Sequence, residues 1–215
     1  MKIKFFITAF CLMALQTFAF EGTIKQTIKN YNGTGIDVTM SWSVKGNNCR
    51  IDMKTSDKDA KGNTVLLMDA ATKTLKTYND ASGNEKLYFE VKTSDISAGV
   101  FDVSATRTTE VKVIKGFNCE KWTVRANGNI YTVWITKDVD MDWTAYQDFF
   151  KSGIEFQALA LEGVKGFPIL TESRNGSNDM TVDQLTPQPV SASVFAVPSE
   201  YKLYVNTTAT KKTGK

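Results

Sequence analysis

The chain has 215 residues, 26 Lys and Arg against 23 Asp and Glu, 42% apolar residues and no histidine. A net charge of +3 with no dense basic run excludes a surface that tracks a phosphate backbone, so no nucleic-acid partner is expected. Without histidine there is no Ser-His-Asp or Cys-His catalysis, the Cys and His ligands are too few for a zinc site, and no local signal promotes a carboxylate pair; neither an enzyme nor a metal or other cofactor is expected, a carboxylate-based site being the enzymatic alternative.

In chain order the first element is a leader. Lys2 and Lys4 precede an apolar run from Phe5 to Leu15, and Thr17-Phe18-Ala19 places small residues at the cleavage positions. The run is shorter than the roughly 20 apolar residues of a membrane span. Cys11 follows Phe10 inside the run rather than a small residue at its end, so it does not read as a lipid-attachment cysteine. The expectation is a cleaved signal peptide over residues 1–19, cut after Ala19, and a periplasmic or secreted protein that is not a lipoprotein. Without the leader, 24 basic residues face 23 acidic ones. Residues 20–205 are of a length that suits one domain, and residues 206–215 read as a flexible polar tail.

Beyond the leader the periodicity is mostly two. "TIKQTIKN" reads as a first strand. "GIDVTMSWSV" puts Ile36, Val38, Met40, Trp42 and Val44 on one face and polar residues on the other, and "NNCRIDMK" returns after Gly46-Asn47 with Cys49, Ile51 and Met53 inward. "NTVLLMDAATKTLKTYND" repeats the plan, and "EKLYFEVK" adds a strand. Three strands follow in "TTEVKVIKGFNCEKWTVRANGNIYTVWITKD", turning at Lys115-Gly116 and at Asn127-Gly128-Asn129, an Asn-Gly hairpin signal. A last hairpin turns at Asn175-Gly176. The best helix lies in "DMDWTAYQDFFKSGIEFQAL", with Trp143, Tyr146, Phe149 and Phe150 at helical spacing and Asp142 as N-cap. "TSDISAGVFDV" offers a short helical turn. The fold class is mainly β (α+β), a large antiparallel sheet that must bury one face by closing or by curling over a helix.

Chemistry-bearing motifs are few. Asp138, Asp140 and Asp142 alternate as at the start of a calcium loop, but Trp143 and Phe149 stand where that loop needs Gly and Glu. Asn32 and Asn175 match a glycosylation pattern within turns. Cys49 and Cys119 remain after processing. In an oxidising compartment an even count favours a bridge, which would restrain the unfolded chain by roughly 4 kcal/mol; two buried thiols are the alternative. Met40, Trp42, Met53, Leu67, Trp122 and Trp134 are large, soft side chains on strand faces. They form a packed core or, if the concave face is open, line a pocket for acyl chains.

Four segments together carry a family resemblance: "GTIKQTIKN…VTMSWSVKGNNCRIDMK" with Arg50 and Asp52 near its end, "NTVLLMDAATKTLKTYN", "VKVIKGFNCEKWTV…YTVWITKDV", and the closing "SVFAVPSEYKLY". They resemble an uncharacterised family of exported bacterial proteins similar in fold to the lipoprotein carrier LolA and the lipoprotein LppX. That resemblance implies a half-barrel, a strongly curved antiparallel sheet wrapped around one or two helices. It also implies an apolar concave face for a lipid, an acyl chain or a lipoprotein. No catalytic residue comes with it. It places Cys119 in a structural role, with Cys49 as its one available partner. The expected function is a non-enzymatic, monomeric periplasmic binding protein for a hydrophobic or acylated ligand. The alternative is a cell-envelope interaction module whose concave face is filled by its own helix.

Overall fold

A computed structural model describes residues 20–80, 86–96, 102–126, 128–149 and 154–205, with side chains from Ala158 onward in the last segment. The leader, the tail, Asn127, Phe150 and all of "SAGVF" lie outside the described residues. Among the described residues twelve strands form one sheet. They are β1 (Gly22–Lys29), β2 (Val38–Lys45), β3 (Asn48–Thr55), β4 (Thr64–Asp69), β5 (Thr74–Asn79), β6 (Leu87–Lys92), β7 (Val103–Ile114), β8 (Phe117–Ala126), β9 (Asn129–Thr136), β10 (Phe167–Ser173), β11 (Asp179–Pro187) and β12 (Lys202–Leu203). One α-helix, α1 (Ile154–Leu161), precedes β10.

The strand order is β12-β6-β5-β4-β3-β2-β1-β11-β10-β9-β8-β7. Two antiparallel meanders, β1–β6 and β7–β11, are therefore joined by the pairing of β1 with β11, from Gly22–Pro187 to Lys29–Asp179. Among the described residues only the short β12–β6 pair is parallel. Alternation decides which side chains face inward. Ile24, Gln26 and Ile28 of β1 align with Trp42, Met40 and Val38 of β2, and these align with Ile51, Met53 and Thr55 of β3. The inward residues of β2 are all buried, because a half-covered strand sorts its apolar residues to one face.

The sheet is open, and the expected half-barrel wrapped around helices is corrected. Among the described residues there is a single α-helix of eight residues, and it packs against β7 and β8 rather than running through the centre. The long helix expected from Asp142 onward divides. The Asp142 carboxylate accepts from the Thr144 amide at 3.0 Å and its hydroxyl at 2.6 Å, which holds a tight 3-10 turn over Trp143–Tyr146. Helix α1 begins later, at Ile154. It stops where Gly163 takes φ +62° and the Val164 amide returns to the Leu159 carbonyl, a glycine C-terminal cap.

The outer face has its own small cluster. Val65, Leu67 and Tyr78 are covered by Tyr201 from the C-terminal segment, with Tyr78 and Tyr201 rings 4.5 Å apart. This segment is strapped to the sheet at several points. The Val190 amide donates to Glu21, Lys45 donates to the Val190 carbonyl, Arg50 donates to the Val194 carbonyl, and Lys86 pairs with Glu200.

Candidate functional site

The six side chains marked in the sequence divide between two faces. Met40, Trp42, Met53 and Trp122 point inward; Leu67 and Trp134 point outward. The register makes this unavoidable: Trp122 stands opposite Val133, so Trp134, one residue on, lies on the other side. Leu67 stands opposite Arg50, one residue off the inward Cys49 and Ile51. Two cations lie over Trp134, with the Lys112 ammonium 5.6 Å and the Lys121 ammonium 5.8 Å from its ring centroid. Leu67 floors an outer cleft of about 340 Å³ whose walls are Lys76, Glu90, Lys92 and Phe195.

The inward face is filled around Trp42. Its ring meets Trp143 edge-on at 6.4 Å and Phe167 at 5.7 Å. Trp143 is fully buried and donates its indole N–H to the Gly166 carbonyl at 2.8 Å. Gly166 holds φ +112° and lies so close to β9 that a Cβ would collide with the Thr136 carbonyl, so only glycine fits. Tyr146, Phe149, Leu159 and Val164 extend the same plug. The Tyr146 hydroxyl donates to the Gly46 carbonyl at 3.2 Å, and burial pushes its pKa up, with the nearby Cys49 and Asp69 adding to the effect. A second open cleft, about 310 Å³, lies beside Val111, Val113, Cys119 and Lys137. Neither cleft touches Met40, Trp42, Met53, Trp122 or Trp134.

One polar group stands out on the inward face. Gln26 is fully buried between Met40 of β2 and Val182 of β11, and neither its amide nitrogen nor its amide oxygen has a partner among the described residues. The sequence carried a signal for it, a polar residue at an inward position between Ile24 and Ile28. A buried amide without partners costs roughly 1–3 kcal/mol, so its position calls for an explanation.

The expected Cys49–Cys119 bridge does not form; both thiols are free and buried. Cys49 faces inward beside Val44, whereas Cys119 lies on the side of Lys121 and Trp134, opposite to Trp122. Five strands stand between β3 and β8, and a disulfide needs Cα atoms within roughly 7 Å. Burial raises the pKa of both thiols; for Cys119 the Ile114 amide works in the other direction. Neither has the lowered pKa of a reactive cysteine. Among the described residues no three Cys, Asp or Glu side chains converge on a metal position. Asp142, from the partial calcium motif, is engaged as a turn cap.

A search of the curated proteins finds no match. Among solved structures, the chain is similar to PNGF-II in its C2 crystal form, with a TM-score of 0.49, and in its P21 form, with a TM-score of 0.48. Identity is 13% in both cases, over 86% of this chain and 31% of the other, so this chain spans about a third of the length of those proteins. The model of a domain of unknown function, DUF4412, matches residues 20–201. The chain belongs to the DUF4412 family.

Proposed function

We propose that the protein is a non-enzymatic interaction module of the cell envelope, exported by its leader, whose sheet carries a self-filled inward face and offers its edges and outer face to partners. The observation that carries this reading is the aromatic plug. Trp143, Tyr146 and Phe167 occupy the inward surface over Trp42 where an acyl chain would have to lie. A lipid carrier keeps an apolar space of ligand size. Here the large inward side chains spend their surface on one another.

A second reading rests on Gln26 and on the resemblance of the four sequence segments to an exported family whose fold is similar to that of lipoprotein carriers. An amide without partners on a methionine-lined face is what an amphiphile would address with its polar end, its chain lying along Met40 and Met53 once the plug shifted.

Native mass spectrometry of protein purified without detergent from its own compartment separates the two. The module reading expects the mass of the bare chain. A stoichiometric lipid or acyl species, lost in Gln26→Leu, would overturn it in favour of the carrier.

A further inference from the structure

The two edges of the sheet are built differently. One is β12, two residues long, which pairs only with Leu87 and Tyr88 and leaves Phe89–Lys92 of β6 as a short further stretch of edge. The other is β7, twelve residues long, with no strand on its outer side among the described residues. Every residue from Thr109 to Val113 is exposed, with Val111 at 74% and Val113 at 64%. Exposed β-branched residues on a free edge are what natural sheets ordinarily avoid.

Hairpin geometry sets which backbone groups face outward. Lys115 and Gly116 form a two-residue turn with φ +51° and +88°, closed by Ile114 opposite Phe117. The closing pair of such a turn is hydrogen-bonded, and bonded pairs alternate along the ladder. Lys112 therefore bonds Cys119, while the N–H and C=O groups of Val111 and Val113 point away from β8 to the open side. Between Arg107 and Val111 the ladder to β8 is irregular, with Thr108, Thr109 and Glu110 opposite the single residue Lys121, so Thr109 and Glu110 must extend alongside Val111 for a partner strand to pair with them.

The segment is also complementary to itself. In an antiparallel pairing about a two-fold axis at Val111, Val111 meets its own copy and Val113 meets Thr109. Glu110 meets Lys112 on both sides of the axis. The faces agree: Lys112 lies over Trp134 and Glu110 bonds Lys121, both on the outer side, while Val111 and Val113 share the other. Both ends of this charge pattern are available, since the Glu110 side chain is 58% exposed and Lys112 is exposed.

We infer that β7 pairs with β7 of a second copy about Val111, joining two sheets edge to edge into one continuous sheet. This specifies a partner for the interaction-module reading and rests on it. The contact is a narrow strip and belongs with weak, concentration-dependent interfaces.

Sedimentation velocity of the purified protein over a wide concentration range tests the pairing. A monomer–dimer equilibrium is expected. Lys112→Glu alone and Glu110→Lys alone each place two like-charge pairs across the axis and weaken the dimer roughly tenfold. An equimolar mixture of the two variants restores attraction and associates again. Val111→Pro removes an outward N–H without touching the β8 ladder, so the dimer is lost while the melting temperature stays near that of the parent. A protein that is monomeric up to its solubility limit overturns the inference. So does a dimer indifferent to both charge reversals, or a mixture that fails to associate. Sedimentation reads the association and native mass reads bound ligand, so this inference and the module reading fail separately.

Discussion

Removing the Trp42 indole empties the space shared with Trp143 and Phe167, whose rings stand almost at right angles to it and cannot slide together without leaving their own partners. Trp42→Ala is expected to cost about 3–5 kcal/mol, the range for a large aromatic lost from a core. Equilibrium urea unfolding checks it: the midpoint falls while the slope stays constant, and a loss under about 1 kcal/mol would show that the plug does not bear on stability. The cysteines behave as small buried apolar residues. In a chain that starts at Phe20, alkylation under native conditions should label neither thiol, and in denaturant it should label both Cys49 and Cys119. A reducing agent should leave the melting temperature unchanged. A drop on reduction would mean that a bridge forms after all.

At the scale of an element, one anchor of the C-terminal strap is a carboxylate near its start. Glu21 accepts from the Val190 amide at 2.7 Å and from Lys45 at 3.0 Å. The Val190 amide first and Lys45 second hold its pKa below the ordinary value of 4.5. A carboxyl group depressed in the folded state stabilises fully above its unfolded value and loses that contribution as pH falls through the lower folded one. Melting temperatures of the parent and of Glu21→Gln should therefore differ by a constant amount above about pH 4.5 and converge below it. Curves that stay parallel through the acid range would assign the strap to Tyr201 and Arg50 alone. The helical region shows the opposite local logic. Trp143 and Tyr146 do sit on one face, as their spacing suggested, but through a capped 3-10 turn rather than through a long helix.

For the whole molecule, cooperativity follows from the strand order. The first strand lies in the interior of the sheet, and β1 with β11 ties a meander ending at β6 to one ending at β7. Neither half buries its inward face alone: Trp42 belongs to the first and Trp143 and Phe167 to the second. Calorimetry should show one transition, with calorimetric and van't Hoff enthalpies equal. Two resolved transitions would show that the halves fold separately. Because that central pairing joins residues as far apart as Gly22 and Pro187, folding should also be slow for a chain of this size.

The sequence by itself determined where the strands lie, which of their residues alternate inward, and where the hairpins turn, because a period of two and a glycine with positive φ are local properties. Met40, Trp42 and the Lys115-Gly116 turn were readable on those grounds. So was Gln26 as an inward polar residue, although its lack of a partner was not. Only the tertiary structure decided that β1 lies beside β11, that Trp122 and Trp134 face opposite ways, and that Cys49 and Cys119 are held apart. It also decided that β7 is left with a free edge. Each of these depends on register between segments far apart in the chain, and a one-residue difference in register exchanges the two faces of a strand.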